Sequence, residues 1–198
     1  NLAMLNRQRH QFEASNSYLT KAEKLLLQTP HVQARKIAKL YYEKALLLFD
    51  EGKYAESTKQ LKAVFKLLIA NYTPQDVLPN QNQLYAETVL IDVLDLQAEI
   101  FSKQNQSKKA LEAFSLSFDI EDLLMNVLVY ENSKIITQIR TRNRTEKCIS
   151  IYDELFKKEN KIQYLEKAFQ LSERSKSGIL KGYRSNIKTA TAEEKSLL

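Results

Sequence analysis

The stretch from Ala45 to Ser57 constrains the fold of this chain more than any other part of it. It reads Ala-Leu-Leu-Leu-Phe-Asp-Glu-Gly-Lys-Tyr-Ala-Glu-Ser and continues to Leu61 and Val64. Before it, Ile37, Tyr41, Ala45 and Leu48 step by four, four and three, so they share one face of a 3.6-residue helix. Gly52 then tolerates the positive φ that ends such a helix, and Leu61, Val64, Phe65 and Leu68 form a stripe on the helix that follows. Small residues on both sides of the turn, Ala45 and Ser57, let the two rods approach closely. This is the signature of an antiparallel helical hairpin.

The rest of the 198 residues is compatible with the same element repeated. Three glycines and three prolines are too few for the many turns of an all-β chain. Helices are expected from Leu2 to about Leu27, from Gln33 to the Gly52 turn, from Lys53 to Asn71, from Leu84 to Lys103, from Lys108 to Val129, from Asn132 to Lys158 and from Gln163 to Arg184. Pro30 closes the first, and Pro74 and Pro79 mark the longest interior loop. In the fifth helix Ala110, Ala113, Ser117, Ile120, Leu124 and Val127 form a narrow packing seam. The expected fold is all-α, with about seven antiparallel helices, because a hairpin with two apolar sides buries both only against neighbours.

The positions Tyr41, Ala45, Leu48, Gly52, Tyr54, Ser57, Leu61 and Val64 resemble the tetratricopeptide repeat. A second copy runs Leu94, Ala98, Phe101, Asn105, Ser107, Ala110, Phe114 and Ser117, and a third keeps Tyr152, Leu155 and Phe156 before its turn and Leu165, Ala168, Phe169 and Ser172 after it. These copies are stretched well beyond the period of about 34 residues usual for the motif. The resemblance implies a right-handed α-α superhelix, or solenoid, over residues 1–185, followed by a polar linker and the start of a further segment over 186–198. The run from Tyr152 to Phe156, with Tyr164 to Ser177, also resembles the last hairpin before the caspase-like domain of bacterial CHAT proteins. That resemblance implies a regulatory array ahead of a protease-like domain. Thr191-Ala192-Glu193-Glu194, spaced as a capping box, would open the next helix, and Glu173 to Lys176, with Gly178 and Gly182, would form the hinge.

No constellation for catalysis, metal or cofactor is legible. The lone Cys148 has only His10 and His31 for company in the whole chain, and none of the three is spaced as a ligand set. Cys148 reads as a packing or surface thiol. No apolar run approaches the roughly 20 residues that span a bilayer, and no signal peptide is visible in the sequence as it begins at Asn1. A cytoplasmic location is the expectation, with an exported or periplasmic one as the alternative, because a targeting signal can precede Asn1. A net charge of +6 permits anionic partners without demanding them.

In tetratricopeptide hairpins the first helix of each pair lines the concave groove. The resemblance therefore implies a partner-binding groove of Lys39, Tyr42, Leu46, Phe49 and Asp50 from one copy and Asp92, Asp95, Glu99, Ser102 and Lys103 from the next. Asp92, Asp95 and Glu99 share one helix face and form an acidic stripe suited to a basic peptide. Arg140, Arg142, Arg144 and Lys147 form the densest basic cluster, but no aromatic residue interleaves it, which argues against nucleic acid. The expectation is a protein-interaction scaffold without enzymatic activity, its partners a protein or peptide and a following domain of the same chain. The alternative is a stand-alone helical adaptor or the repeat domain of a transcription regulator.

Overall fold

The computed structural model describes residues 2–127 and 131–176, and every regular element among them is helical. The chain divides into two compact units, Asn1–Val127 and Leu128–Leu198.

The first unit contains α1 (Leu2–Gln8), α2 (Phe12–Gln28), α3 (Ala34–Asp50), α4 (Tyr54–Leu68), α5 (Thr88–Lys103) and α6 (Ser107–Val127), with a short 3-10 turn at Gln81–Gln83 before α5. Helix α1 packs on α2, α3 on α4 and α5 on α6; between these pairs, α2 packs on α3, α4 on α5, and α3 also touches both α1 and α5.

The turns that join each pair are the same object. At the α3–α4 turn Gly52 adopts φ 76°, its N–H donates to the Phe49 carbonyl (2.9 Å), and the Lys53 N–H donates to the Leu48 carbonyl (2.8 Å). That is a Schellman closure, which satisfies carbonyls the helix end would otherwise strand. Asn105, φ 57°, closes α5 in the same way through Ser102 and Phe101. His10, also φ 57°, closes α1 through Arg7 and Asn6. The Ser57 hydroxyl donates to the Ala45 carbonyl at 2.8 Å, and the Ser15 hydroxyl to the Ala3 carbonyl at 2.9 Å, both across twelve residues. Ala45, Ser57, Ala98 and Ala110 are all fully buried, because close approach at each crossing admits only a small side chain.

The expected single helix from Leu2 to Leu27 is therefore two. Its turn was hidden because a histidine, not glycine or asparagine, takes the positive φ, which leaves no composition signal for a break. Helix α5 also starts later than expected. Glu87 is extended (φ −139°) and its carboxylate accepts from the Val89 N–H at 3.0 Å, so it caps the helix instead of lying within it. The same carboxylate takes the Arg35 Nε at 3.0 and 2.9 Å, while Arg35 Nη2 donates to the Thr88 hydroxyl at 3.0 Å, tying the start of α3 to the start of α5.

The core centres on α5. Val89, Leu90, Ile91, Val93, Leu94, Leu96, Gln97, Ala98, Ile100 and Phe101 are all buried, as expected of a helix that is apolar on nearly every side. Leu61, Val64 and Phe65 of α4 join this core, as do Leu116, Ile120 and Leu124 of α6. The loop between α4 and α5 is held down by Tyr72, whose ring tilts against Phe65 (5.4 Å) and whose hydroxyl donates to the Asp76 carbonyl at 2.6 Å. A smaller cluster of Ala3, Leu19, Leu40 and Leu47, with Phe12, Ala22 and Leu26 against it, joins α1, α2 and α3.

The second unit contains α7 (Glu131–Glu159) and a further helix, α8, over residues 162–176. Asn160 takes φ 50° between them, and its N–H donates to the Phe156 carbonyl at 2.7 Å. On α7, Arg144, Cys148, Ile151 and Leu155 are buried and share one stripe. Tyr152 and Tyr164 stack loosely across the turn with centroids 6.2 Å apart.

Two expected packing residues of α8 are corrected here. Leu165 is 37% exposed and Phe169 is 67% exposed, so neither is packed away, and Ala168 is only half-buried. Counted from the positive-φ residue, Leu165 stands where Ser57 stands after Gly52. A bulky leucine at that crossing cannot allow the close approach that alanine and serine permit elsewhere. Gly178, Gly182, the capping box at Thr191–Glu194 and the linker 186–198 lie outside the described residues.

Candidate partner-binding face

Most of the residues expected to line a groove meet on the packed pair α3 and α5. Tyr42 on α3 is held protonated well above the ordinary tyrosine range, first by burial and then by the negative charges of Asp92, Glu43, Asp95 and Glu99. Glu43 is its neighbour in α3, and the three carboxylates of α5 act on it because α3 and α5 lie side by side. The carboxyl of Glu43 is likewise raised by burial, lowered by the Arg7 guanidinium and raised again by Asp92. Tyr42, Glu43, Asp92, Asp95 and Glu99, all half-buried, thus make one acidic patch.

At its α1 end the patch meets a cation. Arg7 Nη1 lies 2.6 Å from the Asp50 carboxylate, and its Nε is buried without a hydrogen-bond partner. Arg7 and Glu43 were not singled out by the sequence. Arg7 stands in the first hairpin where Phe49 stands in the second, so recognising His10 as a turn residue would have brought it into the groove.

The remaining groove candidates divide. Lys39 and Lys103 are exposed, whereas Leu46 and Phe49 are half-buried against the core around α5. The Phe49 ring lies 5.6 Å from that of Tyr54, covering the turn, so it serves the hairpin as much as any ligand. Leu48 and Tyr41 are half-buried; the neighbouring Leu47 is the fully packed leucine of that turn.

The basic cluster does not form one exposed face. Arg140, Arg142 and Lys147 are exposed and Arg142 pairs with Glu146 at 2.9 Å, but Arg144 is buried. A phosphate backbone needs cations that it can reach together, and here the middle one is withdrawn. Cys148 is buried and lies outside any disulfide. Among the described residues no group of histidine, cysteine or carboxylate side chains could hold a metal ion, and no helix is long and apolar enough to cross a membrane.

A shallow cleft of about 570 Å³ opens beside the α4–α5 loop, lined by Leu68, Ala70, Asn71, Asn80, Asn82, Gln83 and Tyr85. Two of its polar side chains hold the loop: Gln83 Nε2 donates to the Asn71 carbonyl and the Tyr85 hydroxyl to the Leu68 carbonyl, both at 3.0 Å. Tyr85, whose hydroxyl is committed to the Leu68 carbonyl, is the titratable side chain of that lining. The chain matches no protein-family model, no curated protein and no solved structure.

Proposed function

We propose that the chain is a protein-interaction scaffold built from tetratricopeptide-like hairpins, and that the acidic patch on α3 and α5 receives a basic segment of a partner protein. The observation that carries this reading is the recurrence of one turn. Three helix pairs close with the same Schellman bonds, and two of them share a hydroxyl-to-carbonyl bond across twelve residues. A repeated hairpin whose first helices adjoin suits a right-handed superhelix with those helices on its inner surface. The patch that raises Tyr42 and Glu43 gives that surface its sign, negative on a chain whose net charge is +6.

The test pans lysine-rich peptides against the chain and repeats the binding with Asp95→Lys and Glu99→Lys. Loss of binding in both variants, with the helical circular dichroism retained, supports the reading; unchanged binding rejects the patch as the site. The likeness of Tyr152 to Ser177 to the hairpin ahead of a CHAT domain supports a regulatory role next to a protease-like domain. Sequencing the parent reading frame beyond Leu198 tests that role, and a frame without a paired histidine and cysteine would favour the stand-alone adaptor.

A further inference from the structure

Two connections carry the chain from one hairpin to the next within the first unit, and they differ greatly in length. Residues 29–33 suffice between α2 and α3, whereas residues 69–87 lie between α4 and α5. Helical hairpins are joined by a few residues, and a much longer connection that is nonetheless ordered is usually a functional one. This one is pinned at several points. Lys62 Nζ donates to the Pro74 carbonyl at 2.9 Å, Gln81 Nε2 donates to the Asp119 carboxylate at 2.8 Å, and Gln83 Oε1 accepts from the Asn80 N–H at 2.9 Å, while Pro79 is buried. The cleft of about 570 Å³ lies against this loop, so its wall is formed before any ligand arrives.

We propose that this cleft binds a short neutral oligosaccharide, free or carried on a larger molecule. Its lining holds no lysine, arginine, histidine or carboxylate, and the charges that act on Tyr85, those of Glu87 and Arg35, are paired with each other at 2.9 Å. An ionic ligand would give up hydration there and meet no counter-charge. The lining side chains that do not hold the loop include the exposed carboxamides of Asn71 and Asn82. A carboxamide offers an acceptor and two donors in one plane, which suits adjacent hydroxyls of a pyranose, each able to donate and accept. Tyr85 is 42% exposed with its hydroxyl already bonded to the Leu68 carbonyl, so what it offers a ligand is its ring. The C–H face of a sugar packs on the negative face of an aromatic ring, and its hydroxyls are then free to reach the amides. A peptide main chain also pairs with carboxamides, but its side chains need seats, and the apolar lining is limited to Leu68, Ala70 and the Tyr85 ring. This inference is independent of the acidic patch and of the hairpin repeat.

The probes are maltotriose, cellotriose and diacetylchitobiose, each titrated into the isotope-labelled full chain while its amide resonances are followed. At least one of them should shift the side-chain amides of Asn71 and Asn82 together with the main-chain amides of residues 80–85. Tyr85→Ala should weaken that binding about tenfold and Asn82→Ala about fivefold. Asn71→Gly removes the amide while keeping the φ of 61° accessible, so the expected loss, again about fivefold, does not come from the backbone. Tyr85→Phe, which keeps the ring, and Asp95→Lys, in the acidic patch, should leave the affinity within about twofold. Capture of the chain on beads bearing the sugar through its reducing end assigns a glycan carried on a larger molecule, and binding in solution without capture assigns a free one; either sustains the proposal. No shift at the lining with any of the three sugars would overturn it, as would equal affinity in the parent, Asn71→Gly and Asn82→Ala chains. Tighter binding of glucose phosphate, or of a glycine-serine peptide, at the same amides would also overturn it.

Discussion

Gln97 is fully buried in α5, and neither its amide oxygen nor its nitrogen finds a hydrogen-bond partner. At the equivalent place in α3 the polar side chain is Lys44, which lies nearer the surface and has Glu23 to meet it. A buried amide left without partners costs about 1–3 kcal/mol, while a thioether of similar length fills the space without that penalty. Gln97→Met should therefore stabilise the chain by about 1–2 kcal/mol, read as a higher urea midpoint at unchanged slope. A midpoint that falls would mean that the amide is satisfied in solution. No sequence pattern marks Gln97 as buried, because glutamine is a common surface residue in helices. Its position is legible only once the packing around α5 is known.

At the scale of the element, the turn does more to define each hairpin than the helices on either side. Gly52 has φ 76° and a Cβ added there would meet nothing within 4 Å, so the penalty for replacing it is purely one of backbone conformation. Gly52→Ala should destabilise by roughly 1 kcal/mol, and Gly52→Asn by less, since asparagine bears the left-handed region better. Equal thermal midpoints for Gly52→Ala and the parent would contradict the assigned turn. The second and third Schellman turns show how far such geometry can be read from sequence. Asn105 is recognisable because asparagine is enriched at positive φ, and its copy aligns with Gly52. His10 closes an equivalent turn at φ 57°, its ring edge-on to Phe12 at 5.7 Å, but no glycine or proline stands between Leu2 and Leu27 to mark a break there. In α8 the apolar pattern was legible, but the expectation that Leu165 and Phe169 pack away was not met. Periodicity identifies the apolar face of a helix without saying whether anything covers it.

For the molecule as a whole, burial of phenols sets an alkaline limit on stability. Tyr42, Tyr72, Tyr85 and Tyr152 are all raised above the ordinary value of 10.0, chiefly by burial, and Tyr72 is pushed up to about 12. The folded chain thus holds these groups neutral over a range in which the unfolded chain ionises them. The resulting stability is complete below about pH 10 and is lost as pH rises through about 12 for Tyr72. Urea unfolding at stepped alkaline pH should show the midpoint flat up to about pH 10 and falling beyond it, with a smaller fall in Tyr72→Phe. A midpoint that falls equally in both would remove Tyr72 from the cause.

What the amino-acid order determined by itself is local. It set the helical class through scarce glycine and proline, the α3–α4 hairpin through Ala45, Gly52 and Ser57, and the acidic stripe through the spacing of Asp92, Asp95 and Glu99, because these depend on neighbours within a few turns of one chain segment. Only the tertiary structure decided that α1 and α2 are a hairpin of the same kind, that Tyr42 and Glu43 share the acidic patch with α5, and that Arg144 is withdrawn from its basic neighbours. Each of those depends on which surfaces meet across the fold and on the water they exclude, and periodicity along a single helix carries no record of either.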